Sequence, residues 1–119
     1  MHRFVKLEVY QKALKFTGEV YRFSNLLPND ERFGIVSQLR RATTSIVLNI
    51  AEGAGAGSDM EFKRFLRMSL RSTYEVNSIF DIIKELGLVD SEIVENLRKN
   101  LDEISAMISG LIKSLNSSQ

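Results

Sequence analysis

Arg64, Arg67 and Arg71 stand at i, i+3 and i+7, the spacing that lines one helix face, with Lys63 beside them. The adjacent pair Arg40 and Arg41 lies upstream. Cationic side chains gathered on one face suit phosphate contacts that ignore base sequence and weaken with salt. Net charge is only +1 and implies no nucleic-acid partner by itself, so its distribution matters more. Arg32 to Arg71 holds seven Lys or Arg and three acids, whereas Ser72 to Gln119 holds four bases and eight acids. A hairpin centred near Gly55 brings Arg40 and Arg41 level with Arg71, so that all these bases share a face. The competing reading is an ordinary solvated face, with Glu61 and Glu75 paired to the bases. No exposed aromatic is expected among them to stack on a base.

Other chemistry is harder to build. Bundles that hold two metal ions use inward Glu residues and Glu-x-x-His pairs, but the single histidine is His2, outside every expected helix. No histidine follows Arg40, Arg64 or Arg67, which removes the Arg-plus-His nuclease pattern. Glu92, Glu95, Asp102 and Glu103 are the nearest thing to a magnesium site, yet they fall off the apolar seam and read as a solvated acidic face. The stretch Gly53 to Gly57 lacks the lysine and preceding strand of a phosphate loop, and reads as a turn between helices. No metal, no cofactor and no catalytic residue is expected, and the chain is read as a non-enzyme. Asn49 falls on an apolar seam, where an amide needs partners. With Glu52 it forms a polar pair that either fixes helix register or meets a ligand, and the structural role is the expectation.

The elements that would carry these residues are all helical. The period Val9, Ala13, Phe16, Val20, Phe23, Leu27 predicts a helix over about 7–25. Pro28, Asn29 and Asp30 interrupt it and are expected to supply caps for a second helix over 30–52, with seam Ile35, Leu39, Ala42, Ile46 and Asn49. Gly53 is expected as its left-handed C-cap. Ser58 and Glu61 form a capping box for a third helix over 59–86, whose seam is Phe62, Leu66, Ser69, Thr73, Val76, Phe80 and Ile83. Gly87 closes it. Asp90-Ser91 opens a fourth, over 91–115, carrying Leu97, Leu101, Ile104, Ile108, Leu111 and Leu115, with a frayed tail from Ser114. Short connections make neighbours antiparallel, so the fold class is all-α, an antiparallel up-down-up-down four-helix bundle forming one domain over 1–119. A second apolar stripe runs beside the seams: Tyr10, Leu14, Thr17 and Tyr21, then Val36, Thr43, Val47, Ile50 and Leu70. It reads as a self-association surface, against the alternative of a thicker core.

At 119 residues and 13.5 kDa the chain buries a substantial core. No apolar run reaches the roughly 20 residues of a membrane span, and Met1 to Lys6 resembles no signal peptide. Zero cysteines exclude disulfides and thiolate metal sites. A cytoplasmic location without membrane contact is the expectation.

Five blocks then match a known pattern: Leu7 to Ala13, Leu27-Pro28 with Glu31 to Gly34, Ser37 to Ala42, Asn49 to Gly53, and Glu61-Phe62-x-Arg64-Phe65-Leu66. In order along nearly the whole chain, they resemble the four-helix-bundle family named for open reading frames inside intervening sequences of bacterial 23S ribosomal RNA genes. The resemblance implies a bacterial cytoplasmic protein and a ring-shaped homo-oligomer, a pentamer, as in the accessory proteins of diversity-generating retroelements. Those relatives use a basic surface to bind nucleic acid and reverse transcriptase. The family's paired arginines fall on Arg40 and Arg41, its Asn and Glu on Asn49 and Glu52, and its third-helix arginine on Arg64. The chain departs in carrying Ala56 where relatives often have a basic residue in the glycine turn, and Arg71 where a small neutral residue is common. The reading is a non-catalytic, oligomeric protein that binds RNA or DNA or acts as a scaffold. The alternative is a protein-protein adaptor.

Overall fold

Apolar residues at helical spacing collapse into four long helices, and the computed structural model describes residues 7–32 and 34–117. Among them α1 spans Glu8–Ser24, α2 Ile35–Ala54, α3 Asp59–Glu85 and α4 Ser91–Ser117. The order is up-down-up-down: each helix packs on its chain neighbours, α4 closes onto α1, and the backbones of the diagonal pairs do not approach closely among the described residues. A helix of 27 residues is about 40 Å long, which accounts for most of the 47 Å long axis. His2 and the rest of 1–6, together with Phe33, lie outside the described residues, as do Ser118 and Gln119.

The predicted seams form the core. Phe16, Leu39, Ile46, Leu66, Phe80, Ile83, Leu101, Ile104 and Ile108 are buried almost completely. Each such side chain contributes about 1.5–3 kcal/mol by leaving water. Phe23 and Phe80 meet edge to face, with centroids 6.2 Å apart.

The second helix starts later than expected. Asn29–Glu31 forms one 3-10 turn, closed by the Glu31 amide on the Pro28 carbonyl at 3.0 Å. Gly34 then precedes α2, and neither the turn nor α2 has a side-chain cap, so Asn29 and Asp30 do not play the capping role assigned to them. The i to i+3 bonds draw the backbone into a tighter turn than an α-helix allows, and α2 resumes only at Ile35.

Gly53 is not a left-handed cap. It lies inside α2, and a Cβ there would stand 2.7 Å from Phe65 Cβ, so its missing side chain lets α3 approach closely. The left-handed residue of this turn is Gly57, with φ 86°. Ser58 caps α3 as expected, its Oγ accepting from the Glu61 amide at 3.1 Å, but the Glu61 carboxylate turns to Arg64. Gly87 ends α3 at φ 62°, its amide bonding the Lys84 carbonyl and that of Leu88 the Ile83 carbonyl, a Schellman closure. Asp90 Oδ1 accepts from the Glu92 amide at 3.1 Å and caps α4. That helix continues through Ser114 to Ser117, beyond the expected fraying point.

The second apolar stripe divides in two. Val36, Thr43, Val47 and Ile50 are buried in the core, and Leu70 packs partly against it. Only the first-helix half reaches the surface, where Leu14 and Tyr21 are exposed. The α2 seam is wide because that helix buries surface against both α1 and α3.

Candidate nucleic-acid interface

Antiparallel packing of α2 on α3 decides which bases meet. Ser72 Oγ donates to Ser45 Oγ at 2.9 Å, Ser69 Oγ to the Ile46 carbonyl at 2.8 Å, and Arg41 Nη2 to Glu75 Oε2 at 3.2 Å. The paired positions are nearly equidistant from Ser58, so the register is centred there and not on Gly55. Arg41 therefore lies level with Glu75, and Arg71 about one turn lower, level with Ser45. The difference arises because α2 continues past Gly53 and the reversal happens at Gly55 to Ser58.

The six predicted bases do not share one face. Arg64, Arg67 and Arg71 are exposed along the outer side of α3, and Arg41 is exposed on α2. Arg64 is held by Glu61 through two bonds of 2.9 and 3.1 Å, and its guanidinium stacks 4.7 Å from the Phe65 ring centroid. The hydrogen bond and charge of Glu61 raise the Arg64 pKa above its ordinary value, and hydrogen bonding to Arg64 lowers that of Glu61. Arg67 and Arg71 make no ion pair among the described residues.

Lys63 leaves the group. Successive helical residues are turned by about 100°, which carries Lys63 away from Arg64 and toward α4. It is buried, and its Nζ donates to Asn116 Oδ1 at 2.9 Å. Arg40 leaves it too, for the same reason. Its Nε donates to Ser24 Oγ at 2.9 Å, its Nη2 to Asn25 Oδ1 at 3.3 Å, and its guanidinium lies 4.6 Å from the Tyr21 centroid, all on the α1 side.

One exposed aromatic joins the stripe against expectation. Tyr74 is 57% exposed, three residues beyond Arg71 and seven beyond Arg67, the spacing that could have revealed it. Its phenol ring is available for stacking beside two cations.

Asn49 is half-buried, and its Nδ2 donates to the Ser45 carbonyl and Oγ at 2.9 and 3.0 Å. Through Ser45 it joins the Ser72 bond, so Asn49 belongs to a polar ladder between α2 and α3. Glu52 is exposed and makes no ion pair among the described residues, so it does not join that ladder as the polar partner of Asn49. Arg41, Leu48, Asn49, Glu52 and Phe65 line an open groove of about 380 Å³.

The acidic residues of α4 disperse. Glu103 pairs with Lys12, and Glu95 binds Lys84 at 2.7 Å with Arg98 at 3.5 Å. Among the described residues no group of three or more His, Cys, Asp or Glu is placed to hold a metal ion. Nor is any described helix long and apolar enough to cross a membrane.

Fold and surface together define a small antiparallel four-helix bundle with an arginine stripe along one outer helix. Residues 5–110 match the family model of the 23S rRNA-intervening sequence protein, and the chain belongs to that family. It is similar to the crystal structure of a protein of unknown function from the S23 ribosomal protein family of Bacteroides thetaiotaomicron. That likeness has a TM-score of 0.82 at 25% identity, covering 88% of this chain and 95% of the other. No curated protein matches the chain.

Proposed function

We propose that this protein is a non-catalytic, homo-oligomeric nucleic-acid-binding protein of the cytoplasm, and that the outer face of α3 is its contact surface. The observation that carries the reading is the pair Arg67 and Arg71, exposed, without a carboxylate partner among the described residues, and beside the exposed ring of Tyr74. Arg41 and Arg64 flank them, held but accessible. Free cations contact phosphates without first breaking an ion pair, and an adjacent phenol adds sequence-tolerant stacking. The family's name ties its members to an intervening sequence of 23S rRNA, which favours RNA as the first substrate to test.

Self-association is supported by apolar side chains left at the surface: Leu14 and Tyr21 on α1, Leu48 on α2, and Met60 on α3. A pentameric ring is the form that the family resemblance favours. Apolar residues near the arginine stripe also support the second reading, a protein-protein adaptor, because Met60 is 73% exposed one turn before Arg64.

A salt titration separates the two. Binding of single-stranded RNA, duplex RNA and DNA is measured between low and physiological salt, for the native chain and for Arg67→Glu with Arg71→Glu. Nucleic-acid binding predicts a steep loss of affinity with salt and a slope reduced by roughly two in the double variant. No binding at low salt leaves the adaptor. Light scattering tests assembly, and a mass near 13.5 kDa at micromolar concentration refutes it.

A further inference from the structure

Away from the α3 face, a hollow of about 170 Å³ opens where α1 turns into α2. Its wall includes Ser24, Asn25, Asn29, Arg32 and Arg40, with Pro28 on one side. Arg40 is the unusual member. It is half-buried, and its named partners are all neutral: the Ser24 hydroxyl, the Asn25 amide oxygen and the Tyr21 ring. No carboxylate pairs with it among the described residues.

Its position is fixed from several sides. Ser24 is buried and donates its own proton to the Tyr21 carbonyl at 2.8 Å, which leaves its oxygen lone pairs for Arg40 Nε. The ring of Tyr21 covers one face of the guanidinium. Asn25 turns its oxygen to Arg40, which leaves its amide nitrogen as a donor with no partner among the described residues. A guanidinium has five donors and two are used here, so the remaining fork is preorganised. The C-terminal end of α1 offsets part of the charge, since its last carbonyls carry partial negative charge, but it supplies no counter-ion. Arg32 brings a second cation to the same hollow.

We propose that this hollow binds a phosphoryl oxyanion, with Arg40 as the fixed fork and Arg32 as the second cation. Planar, rigid guanidinium donors match two oxygens of a tetrahedral phosphate, and the Asn25 amide supplies a neutral donor. The site uses α1 and the start of α2, so it stands apart from the α3 face and does not depend on nucleic acid binding there.

The test follows the arginine Nε–Hε NMR resonances of the full chain while inorganic phosphate is added, with chloride at matched ionic strength as control. Arg40 shifts saturably with phosphate and not with chloride, while Arg67 and Arg71 follow ionic strength alone. Arg32→Gln, an exposed position, weakens the phosphate response about tenfold or more. Arg67→Glu with Arg71→Glu leaves it unchanged, so the two sites fail independently. An equal response to chloride, or an Arg40 response unaltered by Arg32→Gln, overturns the proposal. Competition separates the sources of the phosphoryl group. Displacement by an end-phosphorylated oligonucleotide but not by its hydroxyl-ended counterpart assigns a nucleic-acid terminus. Phosphate binding resisted by both assigns a free small molecule.

Discussion

Ser69 of α3 donates its hydroxyl proton to the Ile46 carbonyl oxygen of α2 at 2.8 Å, with both residues buried. The bond joins a side chain of one helix to the backbone of the other, and it needs the two axes close together. It also pins the register that sets Arg41 beside Glu75. The Ile46 carbonyl keeps its place within α2 without Ser69, so Ser69→Ala is expected to cost only about 1 kcal/mol in urea unfolding. Ser69→Leu costs more, because the added volume must separate α2 from α3. An unchanged midpoint for both variants would show that the helices are not closely packed there.

Gly53 and Gly110 respond oppositely to alanine. A Cβ at Gly53 meets Phe65 Cβ at 2.7 Å and the Phe62 carbonyl at 3.2 Å, neither of which is a flexible tip. Gly53→Ala is therefore expected to destabilise by about 1–3 kcal/mol. At Gly110, inside α4, nothing lies within 4 Å, and alanine there restricts the unfolded chain, adding about 0.4–1 kcal/mol. Thermal unfolding of the two variants checks the opposite signs.

The same glycine shows where sequence reasoning stops. A glycine at the end of an apolar period reads as a cap, and only the position of Phe65 across the bundle reveals a packing role. The seams of α1, α3 and α4 were legible because each is a long repeat that alternative registers would expose to water. The start of α2 was not, since proline followed by asparagine and aspartate suits a 3-10 turn as well as a helix start. Among the bases, helical spacing placed Arg64, Arg67 and Arg71 correctly on one face. Neighbours such as Arg40 and Arg41 could not be sorted, because one step turns the side chain by about 100° and the partner helices decide which way is outward. The stem of Lys63 is long and apolar, so burial against α4 suits it as well as exposure.

Lys63 therefore behaves as a structural residue. Its ammonium rests on the neutral Asn116 amide oxygen, so Lys63→Met removes a desolvated charge while keeping length. Stability is expected to stay within about 1 kcal/mol of the native value or to rise. Affinity for RNA stays within about twofold, whereas Arg67→Gln weakens it and flattens the salt slope by about one. A Lys63→Met loss as large as that of Arg67→Gln would place the lysine at the surface in solution.

Acid should weaken the bundle through two carboxylates. The hydrogen bond from Arg64 lowers the Glu61 pKa, and that from Lys84, helped by Arg98, lowers the Glu95 pKa. A carboxylate whose folded pKa lies below its unfolded value contributes stability above that unfolded value, about 4.3, and loses it as pH falls through the folded pKa. Unfolding midpoints are expected to fall below about pH 4, and Glu61→Gln with Glu95→Gln should flatten this part of the profile. Both pairs are solvent-accessible, so high salt reduces the effect, and a profile insensitive to salt and to both substitutions would assign the acid loss to other groups.

Ser105 of α4 carries a buried hydroxyl that finds no partner among the described residues. A hydroxyl removed from water without a hydrogen bond opposes folding, so deleting it should help or do nothing. Ser105→Ala also places the best helix former within α4. The expected outcome is a gain of up to about 1 kcal/mol in urea unfolding of the dilute protein. A loss of similar size would mean that the hydroxyl is bonded in solution, by an ordered water or by a second copy of the chain. Repeating the measurement across protein concentration tells these apart, because only a partner's contribution grows with concentration.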